Sequence, residues 1–135
     1  MKTRLFALLS MLVLFVAGCG TQSVPQDIDT LKGTVITTPL TGSSAYPAVN
    51  GKAKYKVDGS TREFQVEIED AKVLAGKVLG VYSNSTLVGR MRVSALGTAR
   101  LTRSTERGQT VPFISSGTVI RVRTGTGALV VSGTF

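Results

Sequence analysis

After position 70 the chain carries Lys72, Lys77, Arg90, Arg92, Arg100, Arg103, Arg107, Arg121 and Arg123 against a single acid, Glu106. Arginine presents a planar fork of donors that matches phosphate or carboxylate, so these are the side chains best suited to hold an anion. Arg90 and Arg92 alternate with Met91 and Val93, Arg121 and Arg123 with Ile120 and Val122, and Arg100 stands between Ala99 and Leu101. In extended chain that alternation puts the arginines on one face and the apolar residues on the other. If the three segments share a sheet, Arg90, Arg92, Arg100, Arg121 and Arg123 form a candidate anion-binding face for lipid phosphates, lipopolysaccharide, teichoic acids or an acidic partner. They also fit a solvated face, partly neutralised by residues 19–70, which hold five basic and seven acidic side chains. Nucleic acid is not expected as a partner, because the aromatic residues that interleave with charge in single-strand binders are missing.

Catalytic constellations are sparse. Glu67 and Glu69 would lie about 7 Å apart on one strand face, with Asp70 at its end. That spacing is open to paired-carboxylate chemistry or to calcium. Lysines on a facing strand explain both glutamates more simply, and no Asp-rich calcium loop follows. Ser104 and Thr105 offer hydroxyls without a nearby base, although Lys72 or Lys77 could approach a serine in the fold. The 135 residues include no His and one Cys. The commonest general base, the usual zinc ligand, an internal disulfide and a thiolate metal site are thereby excluded. The expectation is a non-enzymatic chain with no cofactor and no metal.

The elements that position the arginines are strands. With 42% hydrophobic and 18% charged residues the chain can bury one core. Residues 52–57 and 62–69 alternate strictly, which predicts a hairpin around Asp58-Gly59-Ser60-Thr61. One register sets Lys56 against Glu63 and Lys52 against Glu67; a two-residue slip sets Lys54 against Glu67 and Lys52 against Glu69. Both match opposite charges, each pair contributing roughly 0.2–1 kcal/mol. Further hairpins are expected at 77–83 with 86–94, turning at Asn84-Ser85, and at 118–124 with 128–134, turning around Gly125-Thr126-Gly127. Asn84-Ser85-Thr86, which fits a glycosylation sequon, is read as that turn. Residues 33–38 and 98–103 complete eight strands. The fold class predicted is all-β, an antiparallel β-sandwich or flattened barrel spanning residues 32–135. Its expected core is Tyr55, Val57, Phe64, Val66, Ile68, Val81, Met91, Leu101, Ile120, Val122, Leu129 and Val131. Phe113, in a loop with Pro112, is expected to plug one end. Gly76, Val78, Leu79, Val81, Ser83 and Ser85 reappear 41 residues later as Gly117, Val119, Ile120, Val122, Thr124 and Thr126. Duplication and convergence of two small-residue hairpins both account for that match.

The N-terminus has a basic start, Lys2 and Arg4, then an apolar run over residues 5–16 broken only by Ser10. As a helix the run spans only about 18 Å, short of the roughly 30 Å hydrocarbon core, so it suits an export signal. Val16-Ala17-Gly18-Cys19 resembles the lipobox of bacterial lipoproteins. The resemblance implies a signal peptide over 1–18, a diacylglyceryl thioether on Cys19, and a new amino group there open to further acylation. It also implies membrane attachment outside the cytoplasm, at the outer membrane in a two-membrane organism because Gly20 rather than Asp follows the cysteine. Two or three acyl chains anchor essentially permanently, at about 0.8 kcal/mol per buried methylene. Residues 19–31 are polar and suit a tether reaching about 40 Å at most. Without the leader, the formal charge falls from +8 to +6 as Lys2 and Arg4 are lost.

Leu40-Thr41-Gly42, Tyr46-Pro47-Ala48, Gly51-Lys52-Ala53 and Ser132-Gly133-Thr134-Phe135 resemble small secreted all-β domains of the CHRD kind. That likeness implies an extracytoplasmic all-β module, without the family's histidine-containing segment. The function expected is that of a cell-envelope lipoprotein whose β-domain is structural or adhesive through its arginine face. The alternative is a protein-binding accessory or inhibitor acting through loops 38–50 and 104–117.

Overall fold

The computed structural model describes residues 33–135, so the signal peptide, Cys19 and the tether over 19–31 lie outside the described residues. The alternating segments form β1 (Thr34–Gly42), β2 (Asn50–Asp58), β3 (Thr61–Glu69), β4 (Val78–Ser83), β5 (Thr86–Arg92), β6 (Ala99–Ser104), β7 (Val119–Arg123) and β8 (Leu129–Thr134). Short 3-10 turns at Lys72–Leu74 and Thr105–Arg107 lie in the two long connections. Every ladder is antiparallel, in the order β5-β4-β7-β8-β1-β2-β3-β6. The outermost strands, β5 and β6, approach one another, so the sheet curls into one nearly closed barrel. In it β7 returns beside β4 after the consecutive run β4, β5, β6, a Greek-key connection. The fold is therefore all-β, and of the two expected architectures it is the barrel.

Local chemistry sets each turn. β2 and β3 close through Gly59-Ser60, with Gly59 at φ 64°, a conformation that costs glycine little. Lys56 then faces Glu63 and Lys52 faces Glu67, the first of the two expected registers. Asn84, at φ 55°, turns β4 into β5. Its amide donates to the Val119 carbonyl at 2.7 Å and its Oδ1 accepts from the Val119 amide at 3.0 Å, which extends the contact between β4 and β7. β1 runs to Gly42, past Pro39 and beyond the expected end at 38. Only Thr41 and Gly42 of β1 pair with β8, so most of the strand has a single partner and tolerates a residue without an amide hydrogen. Where β1 and β8 converge, a β-carbon on Gly133 would collide with the Pro39 carbonyl oxygen, so glycine permits the close approach.

The hairpins β4–β5 and β7–β8 repeat one another in backbone as well as in sequence. Val81 lies directly opposite Val122, its counterpart 41 residues on, so a local two-fold relation passes through that pair. The register shifts after Val81 in one hairpin and after Val122 in the other, leaving Val88 and Val130 as the extra residues of the second strands. Gly76 and Gly117 both have positive φ, 82° and 94°. Gly76 donates to the Val93 carbonyl as Gly117 does to Phe135; Val93 donates to Lys77 as Phe135 does to Thr118; Lys77 donates to Leu74 as Thr118 does to Ser115. A shared bulge and three shared bonds away from the turns exceed what hairpin geometry requires. The likeness of the two hairpins thus extends from the six matched residues to the backbone.

Tyr55, Phe64, Val66, Ile68, Val81, Met91, Leu101, Ile120, Val122 and Val131 are buried as expected, joined by Leu40, Val49, Leu79 and Val93. Val57 is only partly buried against this core. Leu129 is a correction: the bulge at Val130 brings it opposite Arg123 on the outer face, and Val130 is buried instead. Phe113 is a second correction, being 77% exposed. Its loop is pinned by Val111 and Ile114, and without strand alternation nothing turns Phe113 inward. Ile114→Ala should therefore lower stability by about 2–4 kcal/mol, whereas Phe113→Ala should stay within about 0.5 kcal/mol. Urea unfolding of the two variants decides this; equal losses would return Phe113 to the core.

Candidate functional site

Closure of the barrel places the arginine-bearing strands on either side of β4. Outward positions on β4 are Val78, Gly80 and Tyr82, none of them charged. Arg92 pairs with Val78 from the β5 side. Gly80 has Arg90 of β5 on one side and Arg123 of β7 on the other, and Tyr82 faces Arg121 of β7. Four of the five expected arginines thus border one strip. The sequence pointed to the arginines but not to the strip, which becomes visible only once β4 is known to separate β5 from β7.

Gly80 shapes the middle of the strip. A β-carbon there would stand 3.1 Å from the Tyr82 ring and 3.5 Å from its hydroxyl, so the ring lies down along the strand over the glycine. The phenol is thereby held low between the Arg90 and Arg123 positions. Arg92 Nη1 donates to the Gly76 carbonyl at 2.8 Å, Arg123 Nη1 to the Gly127 carbonyl at 3.1 Å, and Arg121 Nη1 contacts the Asn84 carbonyl at 3.5 Å. Each bond orients a guanidinium while leaving most of its donors free. Among the described residues, no carboxylate forms an ion pair with Arg90, Arg92, Arg121 or Arg123.

Arg100 is placed differently. It lies on β6, across the unladdered seam from β5, and its Nη2 meets Glu67 Oε2 at 2.6 Å. The Glu67 side chain is 18% exposed; it also accepts from Gln65 Nε2 at 2.6 Å and has Lys52 Nζ at 3.9 Å. Arg100 and Arg92 line opposite sides of a cleft of about 460 Å³ with Glu67, Glu69 and Thr98, where both charge signs are represented. Arg100 is thus brought near the strip but is already engaged by an acid.

Arg103 is the residue that sequence reasoning passed over. It pairs with the fully buried Phe64 and so starts on the inner face. Its guanidinium reaches across the seam to β5, where Nε donates to the Val88 carbonyl at 3.3 Å and the group fills the space over the buried Gly89. A signal was present: alternation with Ala99 and Leu101 assigns Arg103 to the apolar face, an unusual place for a charge without a task.

Glu67, Asp70, Ser104 and Thr105, considered for chemistry, have structural partners. Glu69 pairs with Asn50 in the ladder, and Asn50 Nδ2 donates to Asp70 Oδ2 at 2.9 Å. Ser104 is buried, and its Oγ accepts from the Glu106 amide. Thr105 Oγ1 accepts from the Arg62 amide at 2.9 Å. Among the described residues no group of three His, Cys, Asp or Glu side chains is placed to hold a metal. None of the known protein families, curated proteins or solved structures matches this chain. The two kinds of arginine should separate in stability. Arg100→Gln should cost about 0.5–1 kcal/mol in low salt and less in high salt, while Arg90→Gln should be neutral or stabilising because it relieves like-charge crowding. Parallel urea melts at two salt concentrations test this, and an equal cost for both variants would contradict it.

Proposed function

We propose that the chain is an extracytoplasmic, membrane-anchored lipoprotein of the cell envelope, held through lipid on Cys19. In this reading the barrel is a non-enzymatic structural or adhesive module that holds anionic envelope polymers or lipid headgroups through Arg90, Arg92, Arg121 and Arg123. The supporting observation is the convergence of these arginines on both sides of β4, with no carboxylate paired to any of them among the described residues. Neighbouring like charges on a sheet are destabilising, so a face that keeps them is better explained by an external anion than by packing. The leader and the residues around Cys19 supply the address, and two or three acyl chains would keep the face at a membrane surface. Arg100, being paired with Glu67, has a supporting place at the margin.

A second reading has its own observation. Phe113 is exposed beside Pro112 in the connection between β6 and β7, a rigid apolar projection suited to a protein partner. Co-purification of a stoichiometric partner that survives high salt and is lost in Phe113→Ser would support it.

The main reading predicts that the full-length chain in neutral detergent is retained on an immobilised anionic polymer at low ionic strength and released as salt rises. The double substitution Arg90→Gln with Arg123→Gln should weaken retention at least ten-fold, while Arg107→Gln, away from the strip, should change it less than two-fold. Retention that ignores both salt and the double substitution would refute the reading.

A further inference from the structure

Resting on the proposed anion-binding face, we infer that the strip along β4 is a channel for a single linear chain of phosphodiester-linked polyol, laid parallel to the strand. The outward residues Arg90 and Arg92 form one rail and Arg121 and Arg123 the other. Alternate residues on a strand are about 7 Å apart, and strands on either side of a third are about 10 Å apart. Each rail thus presents charge at an interval of about 7 Å along a corridor wide enough for one extended chain. Phosphates separated by three-carbon polyols can be brought to that interval, and a phosphate accepts arginine forks from two sides at once.

The floor is suited to the same occupant. Val78 and Tyr82 are uncharged, and the glycine at 80 lets the Tyr82 ring lie flat instead of standing between the rails. Its hydroxyl, held near Gly80, is a third donor between Arg90 and Arg123. The hairpin repeat adds an independent argument. Leu79 and Ile120, Val81 and Val122, and the bulged Val88 and Val130 correspond on or near the core side. On the outer side the two-fold relation breaks: Gly80 answers to Arg121, Tyr82 to Arg123, Arg90 to Ser132 and Arg92 to Thr134. One copy carries its arginines on the second strand and the other on the first. That asymmetry is what sets them on both sides of β4, and core packing does not call for it.

The test is calorimetric titration of the full-length chain in neutral detergent with glycerol-phosphate oligomers of one to six units, inorganic phosphate, and phosphatidylglycerol vesicles. The outward span from residue 78 to residue 82 is about 13 Å, so affinity should rise at least ten-fold from one unit to three and then flatten. Gly80→Val should lower affinity for the three-unit oligomer at least five-fold by lifting the Tyr82 ring, with Arg107→Gln unchanged. A β-carbon at position 80 meets only the far ends of the Tyr82 and Leu87 side chains, so the fold should survive; thermal unfolding checks this, and Tyr82→Leu, with the same expected loss, replaces the variant if it does not. Affinity that climbs with charge number without flattening, or that is untouched by Gly80→Val and Tyr82→Leu, overturns the channel but leaves the charged face standing. Tighter binding to vesicles than to the oligomer, insensitive to both variants, overturns it in favour of a headgroup surface. No salt-sensitive binding of any polyanion removes the channel and the face together.

Discussion

Closing one sheet on itself allows each side chain only two destinations, inside or outside, and the rest of this structure follows from that constraint. Seven ladders supply most of the ring, but the eighth boundary, between β5 and β6, has no ladder. There Arg103 crosses from the inner face and binds the Val88 carbonyl over Gly89. A charged side chain can begin inside the barrel because its Nε reaches a backbone carbonyl across the seam and the residue stays partly exposed. The same closure brings Arg100 and Arg92 to the two sides of one cleft and sets β4 between two arginine strands.

Six arginines consequently serve three ends. Arg103 closes the ring, Arg100 balances the partly buried Glu67, and Arg90, Arg92, Arg121 and Arg123 face outward with no acid paired to them among the described residues. Charge counting cannot separate these groups, since all six are arginines within 34 residues. Position around the ring separates them. Four arginines without an ion pair among the described residues border the low floor over Gly80 and the recumbent Tyr82. The two hairpins that build this surface share their core-facing residues and differ on their outer ones. Folding and surface chemistry are therefore encoded by alternate positions of the same strands.

Much of the fold was legible because alternation is a local property. The strict pattern of Lys52 to Glu69, with Gly59 between, specified a hairpin and its charge-matched register. The turns at Asn84-Ser85 and at residues 125–127 were equally readable. What escaped was non-local or irregular. Leu129 changed face because one bulge residue shifts the alternation, and Phe113 remained outside because a loop has no period to read. β1 outran its expected end because Pro39 lies outside the two-residue ladder that β1 makes with β8, where a missing amide hydrogen is harmless. The candidate site was legible as a list of arginines. Its floor, its two-sided form and the removal of Arg100 to a salt bridge depend on strand order, which periodicity does not carry.

The central claim is that Arg90, Arg92, Arg121 and Arg123 beside β4 are open to an external anion, whereas Arg100 and Arg103 are already engaged within the fold. Nitrogen-15 NMR of the arginine Nε–H groups during titration with a soluble polyanion tests it most directly. The account predicts that signals of Arg90, Arg92, Arg121 and Arg123 shift together at low polyanion, while Arg100, held by Glu67, and Arg103, held at the seam, stay in place. Shifts spread evenly over all arginines, or led by Arg100 and Arg107, would contradict it.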